Sequence, residues 1–150
     1  MSKLFTGDIG NIVEDYLIRH KVKELPVDVF ELCRRDKITL VPYSAKEAHR
    51  MAELIGADGI MERTDGFAVQ MDGEYLIFWD DRLPMSVQSA IVAHELGHIV
   101  LGHIGPSSYQ YDQSDDKECQ ANAFAFNLLF PYAYTFAYQN TYRKENQLCV

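Results

Sequence analysis

Apolar positions recur along this chain in different rhythms, and each rhythm predicts a different element. Ile9, Ile12, Val13, Tyr16 and Leu17 fall on one face at helical spacing, which predicts a helix opened by Asp8 and finished before Pro26. A short helix is expected from Val27 to Arg35. Lys37 to Val41 is brief, rich in β-branched residues and stopped by Pro42, so it reads as a strand. Ala45 to Ile55 returns to helical spacing and closes at Gly56. Two apolar runs, Gly66 to Met71 and Glu74 to Trp79, then flank Asp72-Gly73, the dipeptide favoured in tight type I′ hairpins.

Beyond Pro84 the pattern loses its polar face. Met85 to His103 is apolar almost all round, interrupted chiefly by three His and one Glu, until Gly105-Pro106; a helix of that kind belongs in a core. Ser114, Asp115 and Asp116 suit the positive start of another helix, which runs to Leu129 before Phe130-Pro131 breaks it. Tyr132 to about Asn146 reads as a last helix with aromatic packing residues. Helices, a few strands and helices again predict an α+β fold, several helices on a small, mainly antiparallel sheet.

Composition narrows this further. A length of 150 residues with 47% hydrophobic and 24% charged residues suits a single globular domain spanning 1–150. There is no internal repeat or linker. The net charge of −8 repels phosphate backbones and anionic head groups, so direct nucleic-acid binding is disfavoured. No apolar run reaches the roughly 18–20 residues that span a bilayer, and the N-terminus lacks the apolar stretch of a signal peptide. Cys33, Cys119 and Cys149 show no paired spacing and read as reduced thiols, which makes a cytoplasmic location the expectation.

Chemistry concentrates in His94-Glu95-Leu96-Gly97-His98. Imidazoles four residues apart share one helical face and can bind one ion, while Glu95 lies about 100° round, within reach of a ligand beside them. This composition yields about 0.01 such patterns by chance. The bland reading makes His94 and His98 satisfied core residues. Burying two imidazoles and a carboxylate among Ile, Val, Ala and Leu, however, costs several kcal/mol unless partners are present, and a metal supplies one.

Zinc wants a third protein ligand and an open position. A third His six residues after His98 is ruled out because Ile104 stands there. His103 reads as a partner of the helix C-terminus or a surface residue. Glu118 is the better candidate, because its face continues through Ala121, Ala125 and Leu128 and packs inward. Asp115 and Asp116 read as first-turn charges. Asn122 could accept a hydrogen bond from a ligand imidazole, or be an ordinary polar helix residue.

These two blocks, Val92 to His98 and Glu118 to Pro131, resemble the ImmA/IrrE metallopeptidases. Phe130 replaces the Met usual before that family's Pro, a packing position. The resemblance implies a zincin-like unit in which His94, His98 and Glu118 bind Zn2+ and Glu95 is the general base. It further implies a protein substrate of the helix-turn-helix repressor kind, in a phage, mobile-element or stress setting. Tyr109 and Tyr111 are the nearest residues for stabilising an oxyanion, and neither is assigned. The strand Glu74 to Trp79 could lie at a sheet edge and hold an extended peptide. A second functional class remains open: a zinc-bearing module that binds a regulator without cleaving it, with His103 as a fourth ligand.

Overall fold

The computed structural model describes residues 6–23, 25–106 and 114–130. Within them the order is α1 (Thr6–Arg19), α2 (Val29–Arg35), β1 (Thr39–Pro42), α3 (Ala48–Leu54), α4 (Asp58–Arg63), β2 (Gly66–Met71), β3 (Glu74–Trp79), α5 (Met85–Val100) and α6 (Asp115–Leu129). The fold is α+β, with helices packed on a three-stranded sheet. Among the described residues no helix is long and apolar enough to cross a membrane.

Local chemistry explains most boundaries. α1 begins ahead of Asp8, whose charge lies in the first turn and favours the positive helix end. Asp28 caps α2 by accepting the Glu31 N–H at 3.2 Å. Asp72 and Gly73 have φ of 53° and 80°, the two positive values that a type I′ turn demands. Ser114 caps α6, its hydroxyl accepting from the Lys117 N–H at 3.3 Å.

Strand order is β1-β3-β2. β2 and β3 pair antiparallel from Gly66 opposite Trp79 to Met71 opposite Glu74. β1 joins β3 in parallel, Thr39 opposite Leu76 and Pro42 opposite Trp79, so the sheet is mixed. β3 is therefore central, which corrects the expectation that 74–79 could present an edge to a peptide. Both its faces are apolar: Ile77 and Trp79 enter one core, and Leu76 and Phe78 the other. A strand covered on both faces reads as a continuous apolar run, as Tyr75 to Trp79 does.

The larger core gathers Ile9, Val13 and Tyr16 of α1, Leu32 and Cys33 of α2, Val92, Ala93 and Leu96 of α5, and Phe124 and Leu128 of α6. On the opposite side Ala48, Ala52, Ala57 and Ile60 cover Phe67, Val69, Leu76 and Phe78. Buried Gln88 ties α5 to the end of β3. It accepts from the Trp79 indole N–H at 2.8 Å, and it donates to the carbonyls of Asp81 and Leu83 at 3.1 and 2.7 Å.

Three features depart from the pattern in the chain. Residues 45–47 form tight turns, with Ala45 N bonding Pro42 O and Ala48 N bonding Ala45 O, so α3 starts later than its periodicity suggests. α4 has one buried residue, Ile60, too few to leave a periodic signal. α5 ends at Val100 rather than His103. Gly102 takes φ of 74°, its N–H bonds Ile99 O at 3.1 Å and the His103 N–H bonds His98 O at 2.9 Å, which is the Schellman termination that left-handed glycine permits. The helix expected from Tyr132 lies outside the described residues.

Candidate metal centre

α5 supplies two imidazoles and α6 the third group, and a close helix crossing brings them together. At Gly97 a Cβ would stand 3.1 Å from Phe124 Cβ and 3.2 Å from the Ala121 carbonyl oxygen. Glycine is what lets the backbones approach so nearly. Glu118, one turn before Ala121, consequently faces the histidines.

His94 Nε2 lies 3.0 Å from Glu118 Oε2, His98 Nε2 lies 3.2 Å from Glu118 Oε1, and the two Nε2 atoms are 3.1 Å apart. An ion in tetrahedral coordination with bonds of about 2.0–2.1 Å spaces its ligand atoms about 3.3 Å apart. The two imidazole nitrogens stand close to that spacing, and each has one of the two Glu118 oxygens at a similar distance. His94 Nδ1 donates to Asn122 Oδ1 at 2.7 Å, leaving the Nε2 lone pair directed at the carboxylate. Converging lone pairs repel unless a proton or cation lies among them. The donor set, two imidazoles and a carboxylate, is one that zinc accepts, and among the described residues these three form the group able to hold a metal.

Electrostatics agree with the geometry. Burial opposes charging His94, but the hydrogen bond to Glu118 and the nearby Glu95 outweigh it and lift His94 above its ordinary 6.5. Burial pushes Glu118 upward, yet its bonds to His94 and His98 prevail and draw the carboxyl down to about 2. Glu95 is the opposite case. Its side chain is 8% exposed, one oxygen lies 3.9 Å from His94 Nε2, and burial raises its pKa. The two carboxylates thus differ: Glu118 stays charged, whereas Glu95 holds a proton more readily.

A cleft of about 230 Å³ opens onto these groups, with Ile60, Thr64, Gly66 and Phe67 as walls. A second cavity of about 290 Å³, between Lys21 and Arg35, is lined by none of the four.

A family model for peptidase M78, the IrrE N-terminal-like domain, matches residues 57–149. The chain belongs to this family. The match begins at Ala57, so it takes in α4, the hairpin and both helices of the centre in this M78 metallopeptidase-family member. No curated protein and no solved structure matched it.

In the M78 domain the residues singled out from the sequence, His94, Glu95, His98, Glu118 and Asn122, all meet at one place. Asp115 and Asp116 sit in the first turn of α6. Tyr109 and Tyr111 lie outside the described residues. His103 is where sequence reasoning fell short. It is neither a plain surface residue nor a ligand beside the others, because its Nδ1 stands 2.9 Å from His98 Nδ1, the ring nitrogen turned away from Glu118. The available signal was Gly102, which marks a helix end before His103 and folds that residue back over the last turn.

Proposed function

We propose that this chain is a zinc-dependent endopeptidase that hydrolyses a specific regulatory protein, of the helix-turn-helix repressor class that the family resemblance implies. The observation that carries the reading is the convergence of His94, His98 and Glu118 within hydrogen-bonding distance of one another beside a buried Glu95. His94 Nε2, His98 Nε2 and a Glu118 oxygen would hold the ion. When bound, zinc supplies a Lewis acid that polarises a carbonyl and makes water acidic near neutral pH.

The remaining chemistry belongs to the chain. Glu95, made more basic by burial, takes the proton of the attacking water and returns it to the leaving amine. Asn122 holds His94 through Nδ1 and so fixes which ring nitrogen faces the cleft. Phe67 and Ile60 shield the cleft wall, and a drier site strengthens the pull between Glu95 and its neighbours. The alternative, a closed zinc module without activity, needs a fourth protein ligand. The candidate for that place, His103, is engaged at the other side of His98.

Glu95→Gln is the decisive substitution. It keeps the shape of the side chain and removes its basicity, so the variant should bind zinc like the parent while cleavage of a helix-turn-helix repressor drops by roughly 10²–10⁴-fold. Gel analysis of purified, zinc-loaded protein with the repressor, alongside metal analysis, measures both. Cleavage by Glu95→Gln at the parent rate rules out the mechanism.

A further inference from the structure

The end of α5 carries a second hydrogen-bonded histidine contact directed away from the cleft. Gly102 turns the chain so that the His103 N–H reaches the His98 carbonyl at 2.9 Å. The two side chains then meet, with Nδ1 of His98 and Nδ1 of His103 2.9 Å apart and ring centroids 5.1 Å apart. On its other nitrogen His103 faces Gln120 Oε1 at 2.9 Å. An amide oxygen only accepts, so His103 Nε2 carries the proton and His103 Nδ1 presents its lone pair. That lone pair accepts from His98 Nδ1–H, so in the neutral ring His98 Nε2 keeps the lone pair that a metal would take.

We infer that His103, oriented by Gln120, is a positioning residue that sets the tautomer and ring orientation of His98 for metal ligation. The inference rests on the zinc reading above. Direction matters in this chain of bonds. Were the Gln120 amide reversed, each proton would move to the opposite side of its bond, and His98 would point an N–H at the cleft and could not ligate. His98 is 1% exposed, so water is poorly placed to replace His103 as the acceptor at its Nδ1. Gln120 stands two residues after Glu118 on α6. One helix therefore supplies both the third ligand and the group that orients the second.

The test compares zinc dissociation constants, by competition with a chromogenic chelator, for the parent chain, His103→Leu, His103→Asn, Gln120→Leu and His94→Ala. Leucine offers no acceptor, and His103→Leu and Gln120→Leu should bind zinc roughly 10–100-fold more weakly, the usual cost of losing the outer partner of a ligand imidazole. Asn presents its oxygen close to where His presents Nδ1, so His103→Asn should recover most of the loss. In the unsubstituted, zinc-loaded protein, nitrogen-15 spectra of the histidine rings should place the His98 proton on Nδ1, with scalar coupling across the bond to His103 Nδ1. This second measurement decides the matter if His103→Leu does not fold.

Zinc affinity of His103→Leu within twofold of the parent, while His94→Ala loses the metal, overturns the positioning role and leaves the centre intact. A proton on His98 Nε2 overturns it as well. Failure of the parent to bind zinc, or His94→Ala binding as the parent does, instead overturns the reading on which it rests.

Discussion

Substituting Gly97 by Ala probes the helix crossing on which the site depends. In an unobstructed helix interior the change is favourable by about 0.8–1 kcal/mol. Here the added methyl would meet Phe124 Cβ and Cδ1 at 3.1 Å each and the Ala121 carbonyl oxygen at 3.2 Å, whereas carbon atoms pack comfortably at about 3.5–4.0 Å. Relief requires α6 to retreat by a few tenths of an ångström, or Phe124 to leave its rotamer. Overpacking of this kind costs about 1–3 kcal/mol. The net effect is a loss of about 1 kcal/mol, equivalent to about 2–4 °C in melting temperature for a chain of this size. Retreat of α6 also carries Glu118 away from the imidazoles. Ligand distances in metal sites lie within about 0.2 Å of ideal, so zinc affinity should fall by about tenfold, the lower end of the loss when a ligand's support is disturbed. Thermal melts of chelator-treated protein and a zinc competition titration read the two effects separately. A variant that melts above the parent and binds zinc equally well would show that helix propensity acts unopposed, and the crossing argument would be refuted.

Two other measurements follow from the geometry. His94 stands above its ordinary 6.5, so in chelator-treated protein its contribution to stability is complete below pH 6.5 and is lost as pH rises through the elevated value. Zinc requires the deprotonated ring, so affinity rises over the same window. Melting temperature should drift down with pH in chelator and up in zinc, and equal slopes would contradict the assignment. Glu118, held at about 2 from an ordinary 4.5, acts at the acid end, favouring the fold above 4.5 and losing that effect as pH falls towards 2. Replacing Gln88 by Leu leaves the buried Trp79 N–H without its acceptor, which costs about 1–3 kcal/mol. Its melting temperature should drop by at least about 2 °C, and an unchanged melt would mean that the Gln88 bonds contribute nothing net.

Much of this protein was legible along the chain because it depends on neighbours in sequence. Asp72-Gly73 specifies the hairpin through two positive φ values, and the spacing of His94 and His98 puts them on one face by helix geometry alone. Ser114 and Phe130 delimit α6 in the same local way. Glu118 was legible as a carboxylate on an inward stripe, but nothing local could say what it faces. That was decided by packing, where Gly97 admits Phe124 and Ala121 and the two helices come close enough for three side chains to meet. Strand order is also tertiary: a short β-branched segment can pair in either direction, and the path from β1 through α3, α4 and β2 brings it parallel to β3. His103 depended on one backbone angle at Gly102, which the later Gly105-Pro106 obscured. Periodicity determines which side chains share a face, since the element's own geometry sets it. Which faces meet is settled by the shapes that fit between them, and that depends on residues far apart in the chain.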